Sequence, residues 1–210
     1  MSKLLYIEAS PRKSRSKSIE VSQVFLSQLQ KTHPSVEIDK LDLWTTELPA
    51  FDGDTVDAKY AILHGQPHTP DQAKAWKRVE SVIGRFKSAD WYLVSLPMWN
   101  FGIPYVLKHL IDVIVQPGLT FSFSPAEGYK GLVNNKKAVA VYARGGAYGS
   151  GTGAEDYDLQ SKALSGIFGF IGITDLTSIF IEPTLAAPAE VEATITKAKE
   201  LAASTAKSWQ

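Results

Sequence analysis

A parallel α/β sheet with helices on both faces is the fold class that this sequence predicts, and three observations predict it. Five apolar, β-favouring runs recur along the 210 residues, at 4–7, 36–43, 91–96, 138–142 and 176–181. A segment with helical spacing of its apolar residues follows each of them. Four of the runs are nearly continuous in apolar residues, as strands buried on both faces are, and only 36–43 alternates, as an edge strand does. Strand then helix, five times over, implies parallel strands joined by helical crossovers.

The helices follow in order. Ile19, Val21, Val24, Phe25 and Leu29 make the first apolar stripe, which Pro34 ends. Residues 71–87 place Trp76, Val79, Ile83 and Phe86 on one face. Residues 104–115 open on Pro104, a favourable first helical position. Residues 159–170 and 191–206 complete the set. Residues 47–70, rich in Pro, Gly, Asp and His, read as a long surface excursion, and residues 120–136 as a second. No repeat or linker divides the chain, so residues 1–210 read as one domain.

Composition narrows the chemistry. The chain is 44% hydrophobic and 21% charged, as a soluble globular protein is. Twenty-two basic residues balance twenty-two acidic ones, which argues against a nucleic-acid or anionic-membrane surface. Cysteine is absent, which excludes disulfides, thiol redox chemistry and thiolate metal sites. The four histidines make no metal-ligand set. No signal peptide precedes the first strand-like run, and no apolar stretch suits a membrane helix, so the expectation is a cytoplasmic protein.

In sheets of this kind, ligands bind beyond the carboxyl ends of the strands. Three stretches lie there, at residues 10–18, 97–104 and 144–153. The first, SPRKSRSKS, carries Ser10, Ser16, Lys17 and Ser18 where the first helix begins. Free amides, the helix dipole and hydroxyls at that point suit a phosphate monoester. The same residues would serve a plain capped helix start. The glycines of a Walker or dinucleotide loop are missing. In the second stretch, Met98, Trp99 and Phe101 suit an apolar slot for a planar ring, beside Pro97 and the amide of Asn100. The third, directly behind Ala143, opens with Arg144, Gly145 and Gly146, whose glycine amides or guanidinium suit a carbonyl edge carrying negative charge.

Taken together, the three stretches describe a flavin mononucleotide site, and the chain resembles the FMN-dependent azoreductase and NAD(P)H:quinone oxidoreductase family. The resemblance runs from residue 3 to about residue 182. It is carried by Ser10-Pro11, Ser16-Lys17-Ser18, Pro97-Met98-Trp99-Asn100-Phe101, Leu107-Lys108 to Asp112, Gly118-Leu119-Thr120-Phe121, Arg144-Gly145-Gly146 and Gly169-Phe170-Ile171-Gly172-Ile173. It implies a flavodoxin-like fold, with a five-stranded parallel sheet in the order 2-1-3-4-5. It also implies one FMN per subunit, NADH or NADPH as donor, and quinones and azo compounds as acceptors in a ping-pong reaction. The flavin carries the chemistry, so no protein residue is assigned a catalytic role.

In that family each active site of a homodimer is walled partly by the other subunit, and Trp44 with residues 47–70 suits such an interface. Phe123, Tyr129, Phe168 and Phe170 are the candidates to wall the substrate space. Three departures stand out: Trp99 where the family usually has tyrosine, Lys17 where it often has glutamine, and Ala143 where serine is common. Two other readings compete. A flavodoxin-like electron carrier would present an acidic docking surface, which the zero net charge does not offer. An FAD-dependent quinone reductase would not need a nest for a terminal phosphate.

Overall fold

The computed structural model describes residues 2–209. Its strands are β1 (Lys3–Glu8), β2 (Glu37–Asp42), β3 (Trp91–Pro97), β4 (Phe121–Ser124), β5 (Gly128–Gly131), β6 (Lys137–Ala143) and β7 (Asp175–Ile181). Its helices are α1 (Lys17–Thr32), α2 (Gly53–Leu63), α3 (Pro70–Lys87), α4 (Tyr105–Ile114), α5 (Leu159–Ile171) and α6 (Pro188–Ser208). Five strands form one parallel sheet in the order β2-β1-β3-β6-β7, which is the order the family resemblance implies.

Alternation along β1 builds a core on each face. Leu5 and Ile7 join Ile83, Phe86, Leu110 and Leu164, under α3, α4 and α5. Leu4 and Tyr6 point the other way, into Phe25, Leu29, Ala198 and Ala202 of α1 and α6. Alanines at 198, 202 and 206 leave α6 a smooth buried face, which packs against α1.

β2 is an edge strand with mostly half-exposed residues, as its alternation predicts. Arg85 pins it by two bonds to Asp39, at 3.1 and 2.6 Å, and Lys3 adds a 3.1 Å ion pair. The Arg85 hydrogen bonds, with help from Lys3, hold the Asp39 carboxyl below its usual value of 3.8. A carboxylate depressed by folding stabilises the protein above its unfolded pKa and loses that contribution as pH falls through the folded value. Asp39→Asn should therefore lower the melting temperature at pH 7, and the difference should shrink as the pH falls below the usual carboxylate value. A difference between parent and variant that persists undiminished at pH 2 would rule out the ion pair as its source.

Two segments are more ordered than the sequence suggests. Residues 47–70 contain α2, capped by Asp52, whose carboxylate accepts from the Thr55 amide at 3.1 Å. Only Thr55 and Ala58 of α2 are buried, so it shows little of the one-sided patterning by which helices are recognised. Residues 120–136 contain the antiparallel hairpin β4–β5. Pro104 is the cap of α4 rather than its first residue.

Candidate active site

At the carboxyl edge of the sheet, β1 delivers a buried cluster of hydroxyls. Ser10, Ser16 and Ser18 are all buried. Ser16 caps α1, accepting from the Ile19 amide, and its hydroxyl lies 3.1 Å from that of Ser18. The amides of Lys17 and Ser18 point out of the first turn without a partner among the described residues, as helix starts require.

The cations of this loop divide. Lys13 adopts a left-handed backbone (φ 48°) and turns inward, where its ammonium meets Asp42 at 2.6 Å and Glu8 at 2.8 Å. Glu8 is buried and takes Lys40 on its other oxygen at 2.8 Å. Burial opposes the Lys13 charge, but the bonds to Asp42 and Glu8 outweigh it and raise the Lys13 pKa. Lys13 thus ties the loop to β2, while Arg12 and Arg15 stay exposed and Lys17 lies half-buried at the helix start.

The second loop is a two-residue turn. Trp99 and Gly102 exchange backbone hydrogen bonds at 3.1 and 2.9 Å, with Asn100 (φ 47°) and Phe101 (φ 66°) left-handed between them. Two positive φ values are what the tightest hairpin turns demand. Asparagine tolerates this conformation, whereas a phenylalanine there costs on the order of 1–3 kcal/mol. That strain puts the Asn100 amide and the Phe101 ring at the exposed tip of the loop.

Phe101 packs near Tyr157 and Tyr148, with ring centres 4.9 and 6.1 Å away. Trp99 instead joins Trp44 and Tyr105, at 5.9 and 6.1 Å. Trp44 donates its indole N–H to the Ala9 carbonyl at 3.0 Å, so it binds the first loop to the second. A mostly apolar cavity of about 540 Å³ opens beside them, lined by Trp99, Asn100, Ile103, Tyr105, Leu159 and Ile167.

The third loop is joined to the second by register, because Ala143 pairs with Pro97 and its carbonyl accepts from Met98 at 2.9 Å. The Gly145 carbonyl accepts from Thr184 and Leu185, while the Gly145 and Gly146 amides have no partner among the described residues. A side chain at Gly145 would crowd Leu185 at 3.0 Å, and one at Gly146 would crowd the Tyr148 hydroxyl at 3.2 Å. A side chain at either position would have to displace its neighbour by a few tenths of an ångström.

Arg144 corrects the expectation of a guanidinium facing a ligand. It is 1% exposed and fully engaged, donating to Asp158 at 2.9 Å, Glu182 at 3.2 Å and Gln160 at 3.1 Å, and it stacks 4.2 Å from the Phe180 ring. Burial opposes the charge of Asp158, but hydrogen bonds from Ser161 and the nearby Arg144 hold its pKa below the usual range. Of the residues at this rim, Tyr148 and Tyr157 are not legible in the sequence. No spacing pattern marks them, and only the fold brings them to Phe101.

The four candidate walls of the substrate space are not at this rim. Phe168 lies in the core, 6.4 Å from Phe86 and 6.2 Å from Tyr92 between ring centres. Its position is dictated by the inward face of α5, which also buries Leu164 and Ile171. Phe170 sits near the far end of α5, against Phe121 and Tyr129, with Phe123 beside Tyr129. This hairpin belongs to the amino edge of the sheet. The Leu119 carbonyl accepts from Lys87 at the end of α3, and the Val133 amide donates to Ile171 at the end of α5. Within one chain, these aromatics cannot wall the site.

Comparison with known proteins agrees with this architecture. The family model described as flavodoxin-like fold matches residues 2–205. An FMN-dependent NADH:quinone oxidoreductase of Desulfotalea psychrophila is 49% identical over 207 residues, covering 99% of this chain and 97% of the relative. A protein of the same name from Nitratidesulfovibrio vulgaris is 47% identical over 186 residues, covering 89% and 88%. Among solved structures, an azoreductase from Bacillus anthracis matches with a TM-score of 0.91 and 31% identity over 100% of both chains. An FMN-dependent NADH-azoreductase of the same species, in complex with FMN, matches with a TM-score of 0.87 and 29% identity, covering 98% of this chain and 100% of that one. With buried serines, a strained turn and free glycine amides meeting on one rim of this sheet, the chain belongs to the flavodoxin-like family of FMN-dependent NADH:quinone oxidoreductases.

Proposed function

We propose that this enzyme passes two electrons from NADH or NADPH to quinones and azo compounds in a ping-pong cycle. The observation that carries the reading is the meeting of three complementary parts on one rim. They are a hydroxyl-lined helix start, a turn presenting Asn100 and Phe101, and a pair of unpartnered glycine amides. These parts fit FMN. Ser10, Ser16, Lys17 and Ser18 would hold its phosphate, with charge-assisted bonds at the start of α1. Pro97, Met98, Trp99 and Phe101 would border its ring, and Asn100 would serve the N5–O4 side. Ala143, Gly145 and Gly146 would line the N1–O2 edge, with two amides already free to donate. Trp99 and Ala143 each lack a hydroxyl that the family commonly has there, and neither loss removes one of these donors.

FMN supplies the two-electron transfer, and the chain supplies its placement. The alternatives are displaced, since the relatives named above are oxidoreductases and FMN proteins rather than carriers or FAD enzymes. We place residues 1–210 in one FMN-binding unit that works in the cytoplasm as a homodimer. Phe123, Tyr129 and Phe170 are the exposed aromatics that would cover a partner's site. Among the described residues, no helix is long and apolar enough to cross a membrane, and no cluster suits a metal.

If donor and acceptor use the same open face of the ring in turn, double-reciprocal plots against NADH at several quinone concentrations are parallel. Intersecting lines would show both substrates bound together and reject the shared face. Asn100 is tested separately by Asn100→Gly, because glycine accepts the left-handed backbone without strain. The variant should fold normally and take up hydride about two- to tenfold more slowly, the worth of one hydrogen bond. An unchanged stopped-flow rate would remove Asn100 from the site.

A further inference from the structure

We propose that Arg144 is a positioning residue for the ring of FMN, acting through Glu182 and Asp158 on the amides of Gly145 and Gly146. The inference rests on the FMN reading above and adds what sets the geometry of the ring edge. The third loop is held from three directions by one guanidinium. Its bond to Asp158 reaches the residue that caps α5 through the Ser161 amide. Its bond to Glu182 reaches the residue just past β7, which also accepts from the Tyr148 amide at 3.2 Å further along the loop. Its Nε bond to Gln160 reaches the first turn of α5. The backbone completes the brace, with the Arg144 amide on Ile181 and the Arg144 carbonyl accepting from Thr184. Gly145 and Gly146 are the next residues in the chain, and have no side chains of their own to fix them.

The charges matter as well as the geometry. One guanidinium faces two carboxylates, so the cluster carries a net charge of −1 rather than +1. The residue beside the glycine pair therefore offers no free positive charge to a ring that gains electrons on reduction. Neutral amides would do that work alone, and their aim decides how strongly the reduced ring is favoured. A lysine at 144 keeps the charge but lacks the planar fork that reaches three acceptors at once.

Arg144→Lys, and Glu182→Gln as a second variant in case the first folds poorly, would be compared with the parent for three readouts. These are FMN affinity, riboflavin affinity and the flavin midpoint potential. Both variants should weaken FMN and riboflavin by the same factor, tenfold or more, because the ring and not the phosphate is affected. Binding of oxidised and reduced FMN should change unequally, by about tenfold in ratio, which for a two-electron couple is about 30 mV. A purely structural role would weaken both oxidation states alike and leave the potential where it was. An unchanged potential in a variant that folds and binds FMN would overturn the proposal. A parent that binds no FMN would instead reject the reading of the site itself.

Discussion

Replacing Ser16 and Ser18 together by alanine should lower FMN affinity by roughly 10²- to 10⁴-fold and leave riboflavin affinity nearly unchanged. Hydrogen bonds to a charged group contribute about 1.5–3 kcal/mol each, and every 1.4 kcal/mol is a factor of ten in affinity. Both hydroxyls are buried and lie 3.1 Å apart at the start of α1, so alanine removes two of the donors proposed for the partly desolvated anion and leaves it the backbone amides, Ser10 and Lys17. Ser16 also caps the helix, and losing a cap costs about 1 kcal/mol of stability whatever the ligand does. Ser16→Asp separates the two roles. Aspartate caps as well as serine but sets a second negative charge against the phosphate, so this variant should melt like the parent and still lose FMN. Equilibrium titration with FMN and riboflavin measures the effect. A double alanine variant that holds FMN as tightly as the parent would reduce these serines to a helix cap.

Much of this site was legible because its parts lie in short, continuous stretches. Ser10 to Ser18, Pro97 to Phe101 and Ala143 to Gly146 each lie at or just past the end of a strand, and apolar runs announce strands of a parallel sheet. The sheet order then brings β1, β3 and β6 together at one edge without any need to know side-chain positions. What stayed hidden depends on three-dimensional partners. Arg144 sits in a glycine-rich ligand loop by sequence, yet Asp158 and Glu182, 14 and 38 residues away, take its charge. Lys13 is one of four cations in residues 10–18, yet Glu8 and Asp42 claim it. Asn100 and Phe101 read as ring contacts, and nothing local announces that both are left-handed, since no glycine stands at either place. α2 escaped for the opposite reason, because exposed Tyr60, Ile62 and Leu63 blur the pattern of a buried face.

Phe168→Ala and Tyr129→Ala should separate the aromatics that the sequence grouped as substrate walls. Phe168 is 2% exposed and packs near Phe86 and Tyr92 beneath α5. Truncating such a ring removes its buried area and leaves a void, at about 3–5 kcal/mol. For a chain of this length each kcal/mol shifts the melting temperature by roughly 2–4 °C, so a fall of about 6–20 °C is expected. Tyr129 is 67% exposed on the hairpin, and its truncation should stay within about 0.5 kcal/mol of the parent. Its effect should appear elsewhere. The hairpin lies at the amino edge of its own sheet, so in the proposed homodimer Tyr129 would reach an acceptor only across the interface. Stacking contributes about 0.5–1.5 kcal/mol, and the KM for a planar quinone should rise about two- to tenfold in Tyr129→Ala. Mixing this variant with a protein unable to hold FMN tests the route across the interface, because only mixed dimers then pair a loaded site with an intact Tyr129. Restoration of the parental KM in the mixture would come from the partner's hairpin. A raised acceptor KM with unchanged melting in Phe168→Ala would contradict its place in the core, and would return that ring to the pocket wall.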